Sequence, residues 1–116
     1  MRWVFDVDGV ITANPDFFRW WIYQLRKNGH KVFILTARNP NRRGETVNEL
    51  KFWGIAYEDL YFMQDGMSRD LATQASWKLS KIAEIHPDVW VDDNFKIYKQ
   101  VLGAEMAVPG VINLEI

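Results

Sequence analysis

With 116 residues, 48% of them hydrophobic and 25% charged, and a formal net charge of −1, the chain reads as one soluble domain over 1–116 without a global basic field. There is no Cys, which excludes a disulfide framework and a thiolate metal site. No apolar run nears the roughly 20 residues that span a bilayer. The first strand pattern starts almost at Met1, so no leader and no membrane partner are expected, and a cytoplasmic location is. Six Trp, seven Phe and four Tyr give a ring-rich core, which helps a small domain bury enough surface.

Strand and helix patterns alternate along the chain. Trp3-Val4-Phe5 forms a short buried strand leading into Asp6. Asn14 caps a helix that starts at Pro15, carries Phe17, Phe18, Trp21, Ile22 and Leu25 at three-to-four spacing, and ends at Asn28-Gly29. Lys31 to Thr36 is the second strand. A helix from about Glu45 to Trp53 stops at Gly54, and Leu60 to Met63 is the third strand. Gln64 to Ala75 reads as a loop, after which Ser76 caps a helix bearing Leu79, Ile82 and Ala83 that Pro87 closes. Val89 to Val91 is the fourth strand, Phe95 to Leu102 a fourth helix and Glu105 to Val108 a fifth strand. The apolar tail from Val111 to Ile116 is a sixth strand or an edge extension.

This alternation predicts a three-layer α/β/α Rossmann-like parallel sheet. Such sheets bind ligands beyond the carboxyl ends of their strands. Strand one ends in Asp6 with Asp8 just beyond, strand two in Thr36-Ala37-Arg38, and strand four in Asp92-Asp93-Asn94. Four carboxylates so placed repel one another unless a hard cation joins them, and Mg²⁺ favours oxygen ligands. A phosphoryl group fits the same site, since its transfer needs charge neutralisation. Asp6 can then attack phosphorus, while Asp8 protonates the leaving oxygen and later takes a proton from water. Thr36 can donate to a phosphoryl oxygen, a nearby Lys can offset charge, and Ala37, Arg38 and Asn94 are candidate substrate contacts.

Phe5-Asp6-Val7-Asp8-Gly9 resembles the first motif of the haloacid dehalogenase superfamily, and Ile34-Leu35-Thr36 its second. A Lys on the helix before Pro87 resembles the third, and Trp90-Val91-Asp92-Asp93 the fourth. The resemblance implies that Asp6 is the nucleophile and Asp8 the acid/base. It implies a Mg²⁺ held by Asp6, the backbone carbonyl of Asp8, and the Asp92-Asp93 pair. Val10 departs from the Thr of many members, which removes a hydroxyl but none of these roles. The third-motif Lys is Lys78 or Lys81, with Lys78 preferred because it lies nearer the strand ends.

The superfamily inserts cap domains after motif one or between motifs two and three. Only the 27 residues of positions 9–35 separate Asp8 from Thr36, and elements fill both intervals, so the resemblance is to capless members with open sites. From Thr36 to Asp93 the pattern is similar to the 3′-phosphatase domain of phage-type polynucleotide kinases: Gly54-Ile55, strand Leu60 to Met63, Arg69-Asp70, then Lys and Asp-Asp. The favoured substrate is accordingly a nucleotide or nucleic-acid 3′-phosphate. The alternatives are a small-molecule phosphatase such as a 5′-nucleotidase, or a catalytically dead binding module. The last predicts loss of Asp6 or Asp8, and both are present. Arg38, Arg42 and Arg43 form a basic cluster that is either a solvated loop or a phosphate contact. Trp20, Trp53, Trp77 and Trp90 are expected as packing residues, with base stacking open to an exposed one. His30 and His86 are assigned no chemistry.

Overall fold

The computed structural model describes residues 1–94 and 110–113. Strands β1 (Arg2–Phe5), β2 (Lys31–Thr36), β3 (Asp59–Phe62), β4 (Val89–Asp92) and β5 (Gly110–Asn113) form one parallel sheet in the order β3-β2-β1-β4-β5. Helices α1 (Pro15–Lys27) and α2 (Arg43–Phe52) cover one face, and α3 (Leu71–Ile85) covers the other. The fold is the three-layer Rossmann-like type, and among the described residues no cap stands over the strand ends. No described helix is long and apolar enough to cross a membrane.

Alternating strand residues feed two cores. Phe5, Val32, Ile34, Leu60, Phe62 and Val91 pack with Phe18, Ile22 and Leu25 of α1 and Leu50 of α2. Val4, Phe33, Leu35 and Trp90 pack with Ala75, Trp77, Ile82 and Ile85 of α3. Burial on both faces is why the strands read as apolar runs rather than as alternating ones. Rings lock α1 to β1: Trp21 meets Trp3 and Phe5 edge-on, each at 5.4 Å between centroids. That packing fixes the end of β1, where Asp6 stands.

α1 has the expected bounds, with the Asn14 side chain accepting from the Phe17 N–H at 3.2 Å and Gly29 beyond its end at φ +84°. α3 requires a correction. Its cap is Asp70, six residues before the expected Ser76, and the helix begins at Leu71. The Asp70 carboxylate accepts from the Thr73 N–H at 2.8 Å and the Thr73 hydroxyl at 2.9 Å, and it also takes a hydrogen bond from Ser68. The supposed loop therefore contains the first turn of α3. The helix ends in His86, left-handed at φ 52°, just before Pro87. The tail forms a strand at the sheet edge, in line with its expectation: the fifth described strand is Gly110–Asn113, paired with β4. The expected helix over 95–102 and strand over 105–108 lie outside the described residues.

The cap carries a pH signature. Hydrogen bonds from Ser68 and Thr73 lower the Asp70 carboxyl from 3.8 to about 2. A depressed carboxyl stabilises the fold above its unfolded value and loses that contribution as pH falls through the folded one. Asp70→Ala should therefore lower the melting temperature at pH 7, and its deficit against the wild type should shrink between about pH 4 and 2. A deficit independent of pH across that window would mean that the carboxylate is not the cap.

Candidate active site

β1 connects to β2 on one side and β4 receives the chain from β3 on the other, so β1 and β4 flank the switch in strand order. Asp6, the residue after β1, continues the ladder by donating its N–H to the Val91 carbonyl at 3.1 Å. Asp92 ends β4 and is fully buried. Lys78, in the middle of α3 and 2% exposed, places its Nζ 2.8 Å from Asp92 Oδ2 and 3.3 Å from Asp6 Oδ2. Lys81, the other candidate, lies on the outer side of α3 with Glu84 at 3.1 Å. The geometry brings Lys78, not Lys81, to the carboxylates.

Short backbone bonds hold these acids. Asp6 Oδ1 accepts from the Val7 N–H at 2.9 Å. Asp92 Oδ1 accepts from the N–H groups of Asp93 and Asn94 at 2.7 and 3.1 Å. Burial pushes the Asp6 carboxyl up to about 8, with Lys78 pulling it down and Asp92 and Asp93 pushing it further up. Burial and Asp92 likewise raise Asp93.

Asp6, Asp92 and Asp93 each offer an oxygen within 4.8 Å of the others. Asp93 Oδ1 is buried with no hydrogen-bond partner among the described residues. A donor set of three carboxylates around one ammonium, with an unpartnered oxygen, fits a hard divalent cation. Gly9 is part of the same arrangement. A Cβ there would lie 2.0 Å from Asp93 Oδ2, and φ is +80°, so any side chain would displace that carboxylate.

Asp8 stands apart from this cluster. Its carboxylate grips Arg38 two-pronged, at 3.0 Å from Nε and 2.8 Å from Nη2. Arg38 Nη1 goes to Thr46 Oγ1 at 3.0 Å and Glu49 Oε2 at 2.8 Å, both on α2. The Arg38 hydrogen bonds hold the Asp8 carboxyl below its usual range, against a smaller upward push from burial. The structure places the three arginines of the basic cluster differently. Arg38 is buried and committed to carboxylates, Arg42 pairs with Glu45 at 3.0 Å, and Arg43 lies over the Phe62 ring at 4.7 Å.

A cleft of about 270 Å³ opens over these groups. Asp6, Asp8 and Lys78 line it, together with Ala37, Arg38 and Asn94, the candidate substrate contacts. Arg42 and Gln74 complete it. Thr36 is fully buried at the end of β2, where its hydroxyl accepts from the Arg38 N–H at 3.2 Å and keeps its own hydrogen to donate. Sequence reasoning missed Gln74, because it placed that residue in a loop. With Asp70 read as the cap, Gln74 falls one helical turn before Lys78 on the same face. Thr46 and Glu49 were missed too, and their inward polar positions leave no periodic signal.

A family model described as "Protein of unknown function (DUF2608)" matches residues 16–80. The chain belongs to this family. The matched span takes in Thr36, Arg38, Gln74 and Lys78 and stops short of Asp6 and Asp92. No curated protein sequence matches the chain. Among solved structures, a chain of the Pnkp1/Rnl/Hen1 RNA repair complex aligns at TM-score 0.76 and 16% identity, over 97% of this chain and 42% of that one. A second structure of that complex aligns at TM-score 0.69 and 15% identity, over 97% and 45%. The NMR structure of the core domain of a protein assigned as a phosphoglycolate phosphatase from Streptococcus pneumoniae TIGR4 aligns at TM-score 0.56 and 16% identity, over 100% and 88%. This DUF2608 chain spans less than half the length of the repair-complex chains it resembles.

The ion pairs differ in what they should be worth. Arg38→Met leaves the Asp8, Thr46 and Glu49 partners unmet at a buried guanidinium and should cost about 1–3 kcal/mol in urea unfolding. Arg42→Met removes an exposed pair and should leave the urea midpoint close to that of the wild type. Equal losses would mean that Arg38 does not hold β2, α2 and the Asp8 loop together.

Proposed function

We propose that the chain is a Mg²⁺-dependent phosphomonoesterase of the haloacid dehalogenase type, acting through an aspartyl-phosphate on Asp6. The observation that carries this reading is the meeting of Asp6, Lys78 and Asp92 at the strand-order switch, with Asp93 beside them and an open cleft above. The motif resemblance and the likeness in fold to a phosphatase core domain support it.

In this reading Asp6, Asp92, Asp93 and the backbone carbonyl of Asp8 hold Mg²⁺, which when bound neutralises phosphoryl charge. An oxygen of the ionised Asp6 carboxylate attacks phosphorus, and the bond to the leaving oxygen breaks. Asp8 gives that oxygen a proton and afterwards takes one from the water that cleaves the phospho-enzyme. The Arg38 fork aims the Asp8 carboxylate and favours its ionised form, which suits the second half of the cycle. Lys78 and the Thr36 hydroxyl face the charge on the transferring group, and Asn94, Ala37, Arg42 and Gln74 border the substrate.

A nucleotide or nucleic-acid 3′-phosphate is the favoured substrate, supported by the likeness to a chain of an RNA repair complex over 97% of this one. An open site without a cap gives a small leaving group little to bind, whereas a polymer end brings further phosphates and bases.

One panel tests the reading: an aryl phosphate, nucleoside 3′- and 5′-monophosphates, a 3′-phosphorylated oligonucleotide and a phosphopeptide, each with Mg²⁺ and with chelator. Turnover should require Mg²⁺ and be highest in kcat/KM for the oligonucleotide. A nucleoside monophosphate equal to the oligonucleotide would favour the small-molecule phosphatase instead. Asp6→Asn should abolish turnover in a folded protein, because an amide is a poor nucleophile. Activity near wild type in that variant sinks the mechanism.

Lys78→Ala should cost roughly 10²–10³-fold in kcat, as for loss of a donor at developing charge. Lys81→Ala should leave kcat within about twofold, since its ion pair is exposed. The opposite order would overturn the role of Lys78.

A further inference from the structure

We propose that the outer face of α1 is a platform for single-stranded nucleic acid, running from the cleft edge of the sheet to a pocket bordered by Arg26 and Lys27 at the far end of the helix. Its placement beside the cleft rests on the phosphomonoesterase reading; its chemistry does not. α1 follows the Asp6–Asp8 loop, so its first turn lies at the carboxyl edge of the sheet and its last turn at the opposite edge. Its inner face is satisfied by Phe18, Ile22 and Leu25, all buried. Its outer face nevertheless carries Phe17, Trp20 and Tyr23 at 45%, 58% and 61% exposure. Trp20 was expected to pack, and it does not.

Single exposed rings are ordinary, but three within two turns of one helix are a patch. Phe17 and Trp20 stand 6.2 Å apart between centroids and are tilted by 38°. Beyond Tyr23 lies a second cavity of about 290 Å³, lined by Ile22, Tyr23, Arg26, Lys27, Gly54 and Ala56, with two cations and no acid in its wall. Asp16 and Glu58 are the acids nearby, paired with Arg19 at 3.4 Å and Arg26 at 3.3 Å.

Rings followed by cations match the repeating unit of a single strand, whose bases stack on aromatic faces while its phosphates meet Arg and Lys. The arginines after β2 do not provide such a track, since Arg38 and Arg43 are turned to Asp8 and Phe62. A second copy of the chain fits less well. Three rings of ~150–250 Å² each, about half exposed, offer far less than the roughly 800 Å² per partner of a stable dimer. The 13 residues of α1 extend roughly 20 Å, which matches about six stacked nucleotides at ~3.4 Å each.

The test uses fluorescently labelled oligonucleotides of two to twelve residues without a terminal phosphate, so that binding is read apart from turnover. Anisotropy should show affinity rising with length to a plateau near six residues and falling with salt. Trp20→Ala, shown folded by circular dichroism, should weaken the longer strands by roughly 5–100-fold, the range expected for one lost base stack. Trp20→Phe, which keeps a ring, should retain most of the affinity. Unchanged binding in Trp20→Ala, or wild-type binding without length dependence, overturns the platform. So does a wild-type dimer in sedimentation that Trp20→Ala converts to monomer, since a second copy would then occupy the face. Wild-type turnover of the aryl phosphate separates the two readings. Strand binding through Trp20 without turnover removes the phosphatase and leaves the platform, and turnover with strand binding indifferent to Trp20 does the opposite.

Discussion

A lysine ammonium buried at 2% exposure is the constraint on which the site depends. Lys78 comes from α3 on one face of the sheet, and its partners Asp6 and Asp92 come from the ends of two central strands. An unpaired charge at this depth would cost several kcal/mol, so the three elements are bound to keep their register. The balance is deliberately incomplete in charge: three carboxylates, counting Asp93, face one ammonium. Burial drives the Asp6 carboxyl up to about 8 against the pull of Lys78, while Asp92 and Asp93 push it the same way as burial, and an oxygen of Asp93 has no hydrogen-bond partner among the described residues. Under the proposed reading, a divalent cation held by these carboxylates would supply positive charge and favour the ionised form of Asp6.

A second network surrounds Arg38. It draws Asp8 away from the carboxylate cluster, so the two acids of Asp6-Val7-Asp8 meet opposite surroundings despite their spacing. One is buried among like charges and raised, and the other is half open, forked to a guanidinium and lowered. Divergent environments for neighbouring carboxyls are how one site assigns two roles to one residue type. Glu49 and Thr46 extend the network into α2, so the direction of Asp8 depends on a helix that contributes nothing else to the cleft.

The sheet and the site acids were legible because they depend on strand ends. Short apolar runs that stop at Asp6, Thr36 and Asp92 announce both the strand and what it delivers, and the parallel arrangement puts those ends on one edge. The start of α3 was not legible in the same way. Ser76 and Asp70 are both good caps, and Leu71-Ala72-Thr73-Gln74 carries no strong apolar stripe to choose between them; the Ser68 and Thr73 hydroxyls that settle the choice act only in three dimensions. Gln74 was lost with that turn. The Arg38 fork failed for another reason. Its partners lie thirty and eleven residues away, and nothing in an Arg-rich loop distinguishes an arginine that faces solvent from one that folds inward.

Turning Arg38 inward changes where binding energy for a substrate can come from. Among the described residues the cleft offers fixed charge in Asp6, Asp8 and Lys78 and a few neutral edges in Asn94, Gln74 and Ala37, and of the basic cluster Arg38 and Arg42 lie on its wall. Among the described residues no cap closes over the cleft, so under the proposed reading a water-exposed phosphate ester gains little there beyond its own charge. Under the proposed reading further contacts lie along the surface, and among the described residues three of the four exposed Phe, Trp and Tyr rings stand on α1. The helix that packs Phe18 and Trp21 against Phe5 and so fixes Asp6 also carries Trp20 and Tyr23 on its outer side. One element thereby sets the position of the proposed nucleophile and the direction in which a bound strand would leave it.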